Sequence, residues 1–252
     1  MQKSFKCVVI KPTVSQRKAI SLPVVYLLHG YSGNYSNWIT KVPALKEYAD
    51  QYRIMIVCPD GGFSSWYLDS PVDSTMRFDT YIAKEVPAYI DTHYHTIANR
   101  NGRAITGLSM GGHGGLLLSF LHPDIFGACG SMSGGVDLNN VHTRFDVIKR
   151  VGDTITHAAD WNKYSVINMV DIYKQHLLSG NKNDSLAILF DCGTEDIFFT
   201  ENHALHEKMR RLNIPHDYIE RPGHHDWLYW GNAVGFEMMF FSTYFKREAI
   251  SH

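Results

Sequence analysis

The amino-acid sequence predicts an α/β fold, with a central, mostly parallel sheet and helices on both faces. Short apolar runs rich in β-branched residues alternate with longer stretches of helical spacing, the mark of βα units feeding a parallel sheet. Several of those runs are apolar without alternation, as expected of strands covered on both faces. At 252 residues the chain can bury a sizeable core, and residues 1–252 are read as one domain without repeats, low-complexity tracts or linkers.

Taken in order, the first expected strand is 5–10, and the second, VVYLL at 24–28, is wholly apolar. Helical spacing over 42–51 then leads to a strand at 53–58. A turn-rich, aromatic segment, 61–78, precedes a helix at 80–94, which Pro87 should bend or break. A strand at 103–108, a helix at 116–121 and a strand at 127–132 follow. The long connection 133–185 exceeds what one crossover helix requires, and apolar spacing at 145–151 and 166–178 suggests added helices within it. Strands at 186–192 and 216–219, with helices at 201–213 and 235–246, complete the pattern. Long excursions at strand ends are usually lids or binding loops.

A formal net charge of -1 provides no basic field for nucleic acid or an anionic membrane surface. No apolar run approaches the ~20 residues that span a bilayer. Small neutral partners fit best. Cys7, Cys58, Cys129 and Cys192 each lie in or beside an apolar run, which reads as buried thiols rather than a disulfide framework or a metal quartet. The opening MQKSFKCVVI lacks the parts of a signal peptide. A chain that begins there would be cytoplasmic, and one from which a leader had been removed would be secreted or periplasmic.

The stretch GLSMGGHGG, 107–115, sets one serine among five glycines between a strand and a helix. A nucleophile elbow needs small residues on either side of a strained serine, and Gly107-x-Ser109-x-Gly111 supplies them. Composition alone would produce this pattern by chance about one time in ten; the strand, elbow and helix order is what gives it weight. A Walker-type phosphate loop would need a lysine that is not there.

A serine hydroxyl needs a base to take its proton and a carboxylate to orient that base, following it in the order Ser, acid, His. LAILFDCGTED offers Asp191, Glu195 and Asp196. Asp191 falls inside the strand, and of the two loop carboxylates Asp196 is selected, with Glu195 as the competing choice. HDYIERPGHHDWLYW offers His224 and His225, beyond a Pro222-Gly223 turn and before an aromatic run that would exclude water. Two backbone N–H groups would hold an oxyanion, those of Met110 and of Tyr31 in HGYSG. His29 reads as a structural histidine holding that loop. His203-x-x-His206 lacks the glutamate of a metalloprotease helix, and no metal is expected there.

With these residues assembled, the chain resembles the putative-esterase branch of the α/β-hydrolases. That group includes tributyrin esterases, feruloyl esterases, S-formylglutathione hydrolases and, more distantly, mycolyltransferases. LLHGYSG, WYLDSP, TYIAKEVPAYIDTHY, GLSMGGHGG, CGTED and GHHDWLYW carry the resemblance. It implies an α/β-hydrolase fold with a lid-like insertion at about 133–185. It also implies Ser109 as nucleophile, Asp196 as acid, His225 as base, and Tyr31 and Met110 as oxyanion donors. Leu108 stands where the formylglutathione hydrolases carry histidine, which favours oxygen esters with a small acyl group or cinnamoyl esters of sugars. Trp66, Tyr67 and Trp227 are then the expected ring contacts. The partner would be a small-molecule or saccharide ester, with no cofactor. Two other readings are a thioesterase or acyltransferase using the same triad, and a non-catalytic sugar-binding protein on a hydrolase scaffold.

Overall fold

The computed structural model describes residues 3–13 and 20–250. The initial Met1-Gln2, on which the leader reading partly rests, lie outside the described residues. Among those described, a seven-stranded sheet runs in the order β1-β3-β2-β4-β5-β6-β7. Its strands are β1 (Cys7–Ile10), β2 (Val24–Leu28), β3 (Met55–Pro59), β4 (Arg103–Gly107), β5 (Ala128–Met132), β6 (Ala187–Gly193) and β7 (Asp217–Arg221). Edge strand β1 runs antiparallel to β3, and every other neighbouring pair is parallel.

Helices α1 (Asn37–Lys41) and α2 (Leu45–Tyr52) lie between β2 and β3. Next come α3 (Phe78–Thr80), a π-helical turn (Tyr81–Glu85) and α4 (Val86–His93), and α5 (Met110–Leu121) joins β4 to β5. Between β5 and β6 lie α6 (Val147–Val151), α7 (Ala158–Tyr164) and α8 (Val166–Leu178); α9 (Phe199–Arg211) and α10 (Trp227–Ile250) finish the chain. No helix among the described residues is long and apolar enough to cross a membrane.

Strand β2 shows why an apolar run need not alternate. Val24, Tyr26 and Leu28 join a core with α4, α5, α8 and α9 on one face, while Val25 and Leu27 join a second core with α2 and α10 on the other. The side-chain period of two is present, but both faces are apolar.

Pro87, expected to bend or break its helix, directly follows a π turn in which the Val86 N–H bonds the Tyr81 carbonyl, while three other sequence expectations need correction. The helix thereby changes register before the residue that lacks an N–H. Helix α5 starts at Met110, not 116, because its glycines pack against strands where a side chain would collide. A Cβ at Gly115 would lie 2.6 Å from the Gly130 carbonyl oxygen. Helix α10 starts at Trp227, so the aromatic run is its first turn rather than a loop. Cys7 is exposed on the edge strand, whereas Cys58, Cys129 and Cys192 are buried as expected.

On α10, Glu237 is fully buried beside Thr106, whose hydroxyl hydrogen-bonds its carboxyl. Burial raises its pKa well above the usual range, and the nearby Asp191 adds to the rise. A carboxyl whose folded-state pKa is raised contributes stability that is full below its unfolded pKa and is lost as pH rises toward the folded value. The limiting slope is about 1.4 kcal/mol per pH unit. Glu237→Gln keeps the shape of the neutral acid and is expected to lose less stability than the native chain between pH 7 and 9, in urea unfolding. Parallel stability curves across that range would contradict a neutral buried Glu237.

Candidate active site

Strand β4 ends at Gly107, and the chain turns into α5 within two residues. Ser109 takes the turn, with φ 55° and ψ −116°, a conformation that costs a non-glycine residue roughly 1–3 kcal/mol. The crowding explains the flanking glycines. A Cβ at Gly107 would lie 2.6 Å from the Leu28 carbonyl oxygen, and one at Gly111 would meet the same atom at 2.6 Å. The strained turn is held from the neighbouring strand: the Ser109 N–H donates to the Met132 carbonyl at 2.9 Å.

The other two groups arrive from the ends of β6 and β7. His225 Nε2 lies 2.9 Å from Ser109 Oγ, and its Nδ1 lies 2.9 and 3.0 Å from the two oxygens of Asp196. A carboxylate only accepts, so Nδ1 carries the proton and the Nε2 lone pair faces the serine hydroxyl. Asp196 is itself fixed by the Phe198 N–H, which donates to Oδ1 at 2.8 Å. The imidazole stands edge-on between Phe198, 5.2 Å away, and Trp230, 4.8 Å away.

The structure separates the competing candidates. Glu195 ties the loops together, its Oε2 accepting from the Gly223 N–H at 2.6 Å. Asp191 is fully buried within β6, 3.2 Å from an Arg221 nitrogen, and burial pushes its pKa up to about 7. His224 is exposed. Of the carboxylates and histidines weighed from sequence, His225 is the one that meets Ser109 and Asp196 the one that meets His225.

Tyr31 and Met110 flank the serine. Met110 opens α5, so its N–H, like the first of any helix, has no intrahelical acceptor. The chain before Tyr31 comes close, since a Cβ at Gly30 would sit 3.5 Å from that of Ser109. His29 holds this loop: its Nε2 accepts from the Gly61 N–H at 2.7 Å, which leaves Nδ1–H to donate to the Gly30 carbonyl at 2.8 Å.

A cavity of about 320 Å³ opens on Ser109 and His225, walled by Tyr31, Phe145, Trp227 and Trp230. A larger one, about 390 Å³, lies between β1 and α4 and includes neither serine nor histidine in its lining. Trp227 thus lines this cavity, but Trp66 and Tyr67 do not. They are 1% and 0% exposed, and their polar atoms are engaged internally. Trp66 Nε1 donates to the Phe145 carbonyl and the Tyr67 hydroxyl to that of His29, both at 2.9 Å. They brace the cavity from behind. Phe145, which sequence reasoning missed as a wall residue, comes from the 133–185 segment and stacks edge-on against Tyr31 at 5.4 Å. No motif surrounds it.

A family model described as "Putative esterase" matches residues 1–237. The chain is 27% identical over 236 residues to Esterase Rv1288 of Mycobacterium tuberculosis, covering 86% of this chain and 51% of that protein. It is 26% identical over 231 residues to an acetyl esterase of Caldicellulosiruptor saccharolyticus, covering 87% and 84% respectively. The chain therefore spans about half the length of the mycobacterial relatives it matches. A solved structure named ferulic acid esterase superposes with a TM-score of 0.73 at 26% identity, covering 96% of this chain and all of that one.

Proposed function

The chain belongs to the esterase family of α/β-hydrolases, and from that premise we propose that it is a serine carboxylesterase. Its substrates are small acyl or cinnamoyl oxygen esters, including acetyl and feruloyl groups carried on carbohydrate. The observation that carries this reading is the continuous path from Ser109 Oγ through His225 to Asp196, with both contacts at 2.9 Å.

In this mechanism His225 accepts the serine proton as Oγ attacks the ester carbonyl, and Asp196 stabilises the imidazolium that forms. The N–H groups of Tyr31 and Met110 hold the oxyanion, aided by the positive end of α5. His225 then protonates the departing alcohol, and the same imidazole activates a water that releases the acid from Ser109. Protein groups and water suffice for every step. Residues 1–252 act as one domain, with 133–185 as a lid-like insertion. Phe145, which that segment places in the cavity, supports this assignment.

A panel of p-nitrophenyl acetate, methyl ferulate, acetylated xylan and a glutathione thioester tests the substrate class. Oxygen esters are expected to have the higher kcat/KM. A preference for the thioester would replace this assignment with a thioesterase or acyltransferase, and sugar binding without turnover would replace it with a binding protein.

A further inference from the structure

His225 lies in the loop that follows β7. Among the described residues this strand lies at an edge of the sheet, pairs only with β6, and has no fully buried residue. A catalytic histidine in this position needs its loop fixed by something other than sheet burial, because a misplacement of ~1 Å can lower rates about 100-fold.

We propose that Arg221 is that device: a positioning residue that, with the buried carboxylate of Asp191, sets the geometry between Asp196 and His225. The proposal rests on the assignment of Ser109, His225 and Asp196 as the reacting groups. Arg221 ends β7 just before the histidine loop, and Asp191 lies in β6 just before the acid loop. The guanidinium reaches from one strand to the other, 3.2 Å from Asp191 Oδ2. It also bonds the Asn232 side-chain oxygen on α10. Its planar head lies between two α10 rings, 4.6 Å from Tyr229 and 4.7 Å from Phe236. Its carbonyl accepts the Thr194 N–H at 2.9 Å, inside the acid loop. Tyr229 in turn seats the histidine loop, since a Cβ at Gly223 would come within 2.4 Å of its ring.

One side chain thus joins β6, β7 and α10 at the point where the two loops diverge. Asp191 is 0% exposed. Buried ion pairs of this kind add little net stability over an apolar pair, so specifying one geometry is the better reason for one here. Arg221 does not line the cavity with Ser109, so its removal acts on the chemical step rather than on substrate binding.

The test compares the native 252-residue chain with Arg221→Ala, Arg221→Lys and the double variant Asp191→Asn/Arg221→Met. The double variant removes the buried charge together with its partner and guards against simple unfolding. Both Arg221→Ala and the double variant are expected to lower kcat about 10- to 100-fold with KM within twofold. Lysine should restore little, because its ammonium lacks the planar, multi-donor head that bonds Asp191 and Asn232 while covering two rings. Arg221 is 22% exposed, so added guanidinium ion can enter the vacated slot and should recover part of the kcat of Arg221→Ala. Such rescue would show that kcat depends on the guanidinium group held in this slot. The low-field proton resonance of His225 Nδ1–H, assigned by its loss in Asp196→Asn, should shift or broaden in both Arg221→Ala and the double variant. It needs no substrate, so it decides the role of Arg221 even if the native chain proves inactive on esters, an outcome that would overturn the esterase reading alone. Native kcat and an unchanged resonance in the folded double variant would overturn the proposal.

Discussion

Replacing Ser109 with alanine is expected to lower kcat on p-nitrophenyl acetate by three or more orders of magnitude while leaving the protein folded. Each tenfold loss corresponds to about 1.4 kcal/mol of barrier, so the hydroxyl is credited with at least about 4 kcal/mol. The remaining rate would come from the Tyr31 and Met110 N–H groups and from substrate binding. Folding should persist because the strained turn is enforced by Gly107, Gly111 and the Met132 carbonyl. None of these depends on the Ser109 oxygen. Steady-state kinetics beside thermal unfolding separates the two effects; activity within tenfold of the native chain would remove Ser109 from the mechanism.

The second large effect is expected at the acid. Asp196→Asn should lower kcat about 10³- to 10⁴-fold, because an amide that donates to His225 Nδ1 selects the tautomer with the proton on Nε2. That ring can no longer accept from Ser109. Glu195→Gln is the matched control. Its amide oxygen can still accept the Gly223 N–H that the carboxylate now holds, so activity should stay within a few-fold. Equal losses in the two variants would show that the loop, rather than the Asp196 charge, is what the chemistry requires.

The sequence made the frame legible wherever local pattern and tertiary demand agree. Strand β2 and helix α8 lie at their expected bounds, because an unbroken apolar run and an apolar stripe each have one dominant solution. That Ser109, Asp196 and His225 would lie together was legible in outline, because the chemistry demands glycines, a loop carboxylate and a loop histidine in fixed order, while the choice of His225 over His224 came from the family resemblance. The start of α5 was not: glycine disfavours helix by about 1 kcal/mol per residue, and only close packing on β4 and β5 outweighs it. Trp66 and Tyr67 looked like ring contacts since they sit in an aromatic loop, yet that loop folds under the cavity and spends its polar atoms on Phe145 and His29. Phe145 and Arg221 left no local signal. Their roles come from partners far away in the chain, Tyr31 in one case and Asp191 in the other.

Covalent labelling with a fluorophosphonate tests most directly whether Ser109 is the activated nucleophile. Peptide mass spectrometry should find one adduct per chain, on Ser109, with none in Ser109→Ala and slower labelling in His225→Ala. An adduct on another residue, or ester hydrolysis that persists with Ser109 unlabelled, would contradict it.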